Sequence, residues 1–385
     1  MNKVLIFYGS RVEFEKITPK DNFRNLTDVV METDSDTRVF TIQLPDKDNE
    51  DKAPKEKPTK EKIYIKNFVV GSSEYAGVRE HVIMNFANFI AKLDIDNLYL
   101  HNPPLQISNQ LLRIFPNVEI EKQGYKAFSS ENIVPFLTMF DERIKGQNAV
   151  KMDLLKTIFP LTLQNREKPI VILFYGDTGL GKTETAKLLS EVLGEKLFRK
   201  QFSMFQNNQF ATYLFGGAHF EKSFAKDLLD RESNVLLLDE FDKANAIFHS
   251  AFYQLFDDSI FEDQNYYLEL KKSIIICTSN YKTVDEIKTQ LGNAIFSRFD
   301  SVIKFEPLPE TAKIEIAAIH YSKKLEYFTE TQKKQIENRG IRETLIESCK
   351  LCTNAREIEH LIEQTFSLIL IQQKIQEDIT DIGCT

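Results

Sequence analysis

The stretch Gly176-Asp177-Thr178-Gly179-Leu180-Gly181-Lys182-Thr183 constrains this chain more than any other. It follows the apolar run Ile170–Tyr175 and precedes Thr183–Leu193, where Ala186, Leu188, Leu189 and Val192 recur at helical spacing. The pattern predicts a buried strand that turns through glycines directly into a helix. Glycines let the backbone curl so that successive N–H groups converge on one point. The helix start adds the positive end of its dipole. Together they form a cradle for phosphate. Lys182 supplies a point charge for the β- and γ-phosphates, and Thr183 offers a hydroxyl to Mg²⁺. The spacing G-x-x-x-x-G-K-[ST] in this context therefore predicts ATP as ligand, with Gly176 through Thr183 as its contacts and Mg²⁺ as its metal.

Two further buried strands end in polar residues. Val235–Leu238 runs into Asp239-Glu240, and Ile274–Thr278 runs into Ser279-Asn280. In a parallel sheet the carboxyl ends of the strands form the rim where ligands bind. Asp239 is expected to hold Mg²⁺ through water, and Glu240 to orient or deprotonate the attacking water. Asn280 is placed to bond the γ-phosphate or that water.

The chain at this point resembles the AAA+ ATPases, and within them the Clp/HSP100 group, over about Phe140–Thr385. Arg143-Ile144-Lys145-Gly146-Gln147-Asn148-Ala149-Val150 looks like the box that packs on adenine, which makes Ile144 a nucleotide contact. Gly176–Thr183 matches Walker A, Asp239–Ala244 resembles the extended Walker B motif, and Asn280 matches sensor 1. Ser297-Arg298-Phe299-Asp300 resembles the arginine-finger segment. Asn354-Ala355-Arg356 resembles sensor 2, with Asn354 where the family usually has Gly. The resemblance implies that Arg298 acts on a neighbouring subunit's site, so that the chain self-associates into a ring or other head-to-tail oligomer. It also implies that Arg356 couples nucleotide state to a helical lid. One segment departs from the pattern. Tyr213-Leu214-Phe215-Gly216-Gly217-Ala218-His219-Phe220-Glu221-Lys222 stands where Clp unfoldases carry an aromatic-Gly pore loop, but it is shorter and lacks that loop's pattern. Threading of polypeptide is not implied.

The fold class expected is α/β: a P-loop (AAA+) parallel sheet flanked by helices, a C-terminal helical lid and a small N-terminal α/β domain. The boundaries read as 1–129, 130–308 and 309–385. In the first region Val4–Tyr8, Ile63–Val70, Leu98–Leu100 and Val118–Ile120 read as strands, and Val78–Leu93 and Leu105–Phe115 as helices. Between them Asp46–Lys62 has 12 charged residues in 17, and two prolines. Such a stretch buries too little apolar area to order itself and reads as a mobile loop. Gly71-Ser72-Ser73 fits an ordinary β–α turn better than an anion site. The last region carries helical spacing at Thr311–Lys324, Thr331–Glu337, Ile341–Leu351 and Asn354–Ile375 and no strand signal.

Composition narrows the function. A net charge of −8 over 385 residues disfavours a protein that coats nucleic acid. No apolar run reaches the roughly 20 residues of a membrane span and no signal peptide is visible, so a cytoplasmic location is expected. Four cysteines make no disulfide framework. Cys349-x-x-Cys352 lacks a second ligand pair and reads as two half-buried thiols. The expected activity is Mg²⁺-dependent ATP hydrolysis that remodels or regulates a protein partner bound through the N-terminal domain. The alternatives are a nucleotide-controlled scaffold with slow turnover and, third, a DNA-acting loader.

Overall fold

The computed structural model describes residues 1–37, 62–163, 166–204, 209–244 and 246–383. The charged loop expected at 46–62 lies, except for Lys62, outside the described residues, and so does Cys384. The strands, in chain order, are β1 (Lys3–Tyr8), β2 (Phe23–Arg24), β3 (Ile63–Val70), β4 (Leu93–His101), β5 (Val118–Lys122), β6 (Ile170–Tyr175), β7 (Phe198–Gln201), β8 (Val235–Asp239), β9 (Ile260–Glu262), β10 (Tyr267–Glu269), β11 (Ile274–Thr278) and β12 (Ser301–Lys304).

The chain divides into two compact units where three regions were expected. One unit contains 1–125, 207–232 and 260–269; the other contains 126–206, 233–259 and 270–385. The helical region 309–385 thus belongs to the same unit as the β6 sheet. The reason lies in the packing: one continuous apolar core runs from Ile172 and Leu237 in that sheet to Ile316, Ile358, Ile362 and Phe366 in the helices. Two pieces of the expected 130–308 domain group instead with the N-terminal residues.

In the N-terminal unit, five parallel strands lie in the order β2-β3-β4-β1-β5. The helix expected over Val78–Leu93 is two short helices, Glu80–Met84 and Phe86–Ala91, and Leu93 opens β4. Asn85 breaks it: its backbone leaves helical geometry at φ −124°, ψ 35°, and its side chain donates to the His81 carbonyl at 3.3 Å. The turn after β3 is closed by its own anion, since the Gly71 amide donates to the Glu74 carboxylate at 2.7 Å. The segment Tyr213–Lys222 and the β9–β10 hairpin pack within this unit. The buried His219 ring nitrogen sits 3.0 Å from the Val78 carbonyl. Asn265 accepts from the Leu105 amide at 2.8 Å through its carbonyl, and donates to the Gly217 carbonyl at 2.8 Å through its side chain.

The second unit holds a parallel sheet in the order β12-β6-β11-β8-β7. Every residue of β6, β8 and β11 is buried, as expected for a sheet covered on both faces. Each of their large aliphatic side chains contributes about 1.5–3 kcal/mol by leaving water. The helices Glu310–Leu325, Glu330–Glu337, Arg342–Ser348 and Ala355–Gly383 follow. Cys349 is buried and Cys352 half-buried on the short turn between the last two helices. Among the described residues no helix is long and apolar enough to cross a membrane.

Candidate functional site

The register of the second sheet brings the polar strand ends into one row. Thr278 lies level with Phe174, just before the glycine turn, and Gln201 lies level with Asp239. Cys277 pairs with Leu238, so the ends of β8 and β11 also coincide.

The loop after β6 depends on glycine at two positions. Gly176 takes φ 122°, and a Cβ there would stand 2.5 Å from the Phe305 carbonyl oxygen. Gly179 takes φ 72°, and its Cβ would stand 2.8 Å from Asn354 Oδ1. No L side chain fits either place. The helix Lys182–Val192 starts directly from the loop. Asp177 and Thr178 are exposed, Leu180 is buried and Thr183 is half-buried. The buried Lys182 Nζ donates to the Gly176 carbonyl at 2.5 Å, the Asp177 carbonyl at 2.9 Å and Asn280 Oδ1 at 3.3 Å. Burial pushes its ammonium down to about 8, opposed by the carboxylates of Asp242, Asp239 and Asp177. Ile144 is buried against the loop, with Cγ2 3.7 Å from the Cβ position of Gly181. Arg143 beside it pairs with Glu184 and Glu191 of the loop's helix.

The acids at the end of β8 are held by neighbouring strands. Thr278 donates its hydroxyl to Asp239 Oδ1 at 2.6 Å and accepts the Glu240 amide at 2.8 Å. Arg199 holds Asp239 Oδ2 through Nη2 at 2.5 Å and Nε at 3.0 Å. Gln201 donates to Glu240 Oε2 at 3.0 Å. Hydrogen bonds from Ser203 and Gln201 keep the Glu240 carboxyl below its ordinary value. Glu240 sits in the left-handed region at φ 54°, ψ 43°, a strain of roughly 1–3 kcal/mol for a residue with a Cβ. Such strain concentrates at functional positions.

The remaining residues divide. Arg356 is exposed, and its charge acts on both Lys182 and Glu240, so the helical region reaches the site. The Ala355 amide donates to the Gly179 carbonyl at 3.1 Å. The Asn354 side chain fills the space Gly179 leaves and also caps its helix, accepting the Glu357 amide at 3.0 Å. Arg298 is engaged elsewhere. Its Nε donates to Asp257 at 2.8 Å, its Nη1 to the Ala294 carbonyl at 2.5 Å, and its guanidinium lies 4.1 Å from the centre of the Tyr253 ring. A row of aromatic rings links the two places. Phe241, next to Glu240, packs on Phe252 at 5.4 Å and on Phe256 at 6.3 Å; Phe256 packs on Phe299, next to Arg298, at 6.0 Å.

Arg199, Gln201, Thr278 and Asp242 did not stand out in the sequence. Thr278 had a weak signal as the last residue of a buried strand. Arg199 and Gln201 had none, because Phe198-Arg199-Lys200-Gln201 places three polar residues in a row and no local pattern singles out either of them. Asp242 is nearly inaccessible, and neither of its carboxylate oxygens makes a hydrogen bond. Lys243 Nζ stands 3.0 Å from Oδ2 as an ion pair only. The Ser279 hydroxyl beside Asn280 is also buried without a partner. A buried carboxylate and hydroxyl left without hydrogen bonds beside a buried ammonium fit a charged ligand bound with its counter-ion. Among the described residues no three His, Cys, Asp and Glu side chains gather to hold a metal by themselves.

Residues 167–344 match the family model described as AAA domain (Cdc48 subfamily). The chain is 27% identical over 240 residues to the "Chaperone protein ClpB" of Malacoplasma penetrans, covering 55% of this chain and 33% of that protein. It is 29% identical over 199 residues to the "Chaperone protein ClpB" of Mycoplasma pneumoniae, covering 46% and 28%. It is 31% identical over 173 residues to the "ClpA homolog protein" of Fuscovulum blasticum, covering 38% and 22%. The match thus spans a third or less of these relatives' length.

Proposed function

The chain carries a Clp/HSP100-type AAA+ module, and from that premise we propose that it binds ATP and hydrolyses it with Mg²⁺ to remodel or regulate a protein partner. The observation that carries this reading is the contact of Lys182 with both the glycine loop and Asn280 on the rim that also holds Asp239 and Glu240.

In this reading the loop amides and Lys182 bind the phosphates, and Ile144 packs against the base. Thr183 and Asp239 would hold Mg²⁺, which supplies charge neutralisation on the phosphate oxygens; it commonly keeps only one or two protein ligands. Glu240, ionised and oriented by Gln201, accepts the proton of the attacking water. Asn280 orients the γ-phosphate. Arg356 brings the lid's charge to the same place. Arg298 would stabilise developing charge in a neighbouring subunit's site, which requires it to leave Asp257 on head-to-tail assembly. The N-terminal unit would select the partner.

A second reading is supported by one observation. The segment standing where a substrate-gripping loop would be is packed in the N-terminal unit, with His219 buried against Val78. That favours a nucleotide-controlled assembly with slow turnover over threading of polypeptide.

Two variants test the proposal. Lys182→Ala is expected to bind a fluorescent ATP analogue at least tenfold more weakly, and Glu240→Gln to bind it normally while hydrolysis falls a hundredfold or more. Undiminished turnover in Glu240→Gln would remove Glu240 as the base. Sizing the protein with and without ATP, alongside turnover per subunit, separates the two readings.

A further inference from the structure

The end of β8 holds an ion pair that ATP hydrolysis does not call for. Asp239 is almost wholly shielded, its side chain 9% exposed. A buried carboxylate without partners is costly, and here protein donors occupy both oxygens. Thr278 takes Oδ1, and the guanidinium of Arg199 takes Oδ2 through two nitrogens. Arg199 lies on the edge strand β7, two residues before Gln201. Side chains two apart on a strand share a face, so this face presents one group to Asp239 and the next to Glu240. The Arg199 side chain is 42% exposed, so its head can turn into water at little cost, whereas Asp239 cannot move without breaking its bond to Thr278.

We propose that Arg199 is a positioning residue that neutralises Asp239 before metal arrives and competes with the metal for Oδ2, raising the Mg²⁺ concentration at which nucleotide binds tightly. The inference rests on the nucleotide-binding reading given above. A divalent cation beside Asp239 would replace the single charge of Arg199 and repel it. Loading the metal therefore displaces the guanidinium, and metal binding is linked to release of the β7 face. Because the pair is partly exposed, the linkage is modest, a shift of about threefold in the metal midpoint.

The test uses the full chain, with Arg199→Ala and Arg199→Lys beside the unaltered protein. Binding of a methylanthraniloyl-labelled ADP is followed by fluorescence in EDTA and across a Mg²⁺ titration, and melting is followed in EDTA and in Mg²⁺–ADP. Arg199→Ala is expected to lower the half-saturating Mg²⁺ concentration about threefold and leave affinity in EDTA within twofold. Its melting temperature should fall more in EDTA than in Mg²⁺–ADP. Arg199→Lys, which keeps the charge but loses the two-nitrogen fork, should also lower the midpoint, by less than Arg199→Ala does. An unchanged or raised Mg²⁺ midpoint in Arg199→Ala overturns the proposal while leaving nucleotide binding in place. Failure of the unaltered protein to bind labelled ADP under any condition overturns both. If Arg199→Ala does not fold, a lowered midpoint in Arg199→Lys supports the competition and an unshifted one refutes it.

Discussion

Replacing Thr278 by Val removes one oxygen from a fully buried position and almost nothing else. That oxygen serves two partners: it donates to Asp239 Oδ1 at 2.6 Å and accepts the Glu240 amide at 2.8 Å. Losing a hydrogen bond to a charged group costs about 1.5–3 kcal/mol, and stranding a buried amide costs about 1–3 kcal/mol. Glu240 is only half-buried, so its amide recovers part of this from water. A total near 3 kcal/mol follows. For a unit of this size each kcal/mol moves the melting temperature by about 2–4 °C, so the drop is about 6–12 °C. Urea unfolding in EDTA, without nucleotide, isolates the effect from ligand linkage. Thr278→Ser keeps the oxygen and gives up one methyl, about 0.8 kcal/mol. A Val variant that loses less than about 1 kcal/mol, or a Ser variant as unstable as Val, would refute the view that this hydroxyl braces both acids.

Other perturbations have clear signs. Gly176→Ala forces a Cβ to within 2.5 Å of the Phe305 carbonyl at a φ of 122°, and should abolish nucleotide binding in a fluorescence titration while the N-terminal unit still melts cooperatively. Acid should destabilise the protein through His101 and His249. Burial holds both imidazoles below their ordinary value, so the unfolded chain takes up protons near pH 6.5 that the folded chain refuses. Their contribution is intact above that pH and is lost as pH falls below it. Melting should therefore drop between pH 7 and 5.5, with a shallower slope in His249→Phe, which also removes the buried, unpartnered Nδ1.

The glycine loop and the two acids were legible in the sequence because each sits at the end of a fully apolar strand. Such a run has a single reading once the glycines follow it, and the family resemblance then ordered the remaining motifs. The boundaries of β6, β8 and β11 came within a residue for the same reason. The N-terminal helix did not, because Asn85 breaks a pattern whose apolar spacing continues through the break into β4. The β9–β10 hairpin gave no signal, since strands of three residues carry too few positions for alternation to register. Arg199 was invisible for a different reason: its role is set by the register of β7 against β8, a pairing between distant segments that no local pattern encodes. The packing of Tyr213–Lys222 with the N-terminal residues was equally non-local.

The rings between Glu240 and Arg298 leave no slack. Phe241, Phe252, Phe256 and Phe299 are all buried and touch in succession, and close-packed interiors pass on displacement instead of absorbing it. A displacement of the turn that carries Glu240 would therefore press through these rings on the segment that carries Arg298.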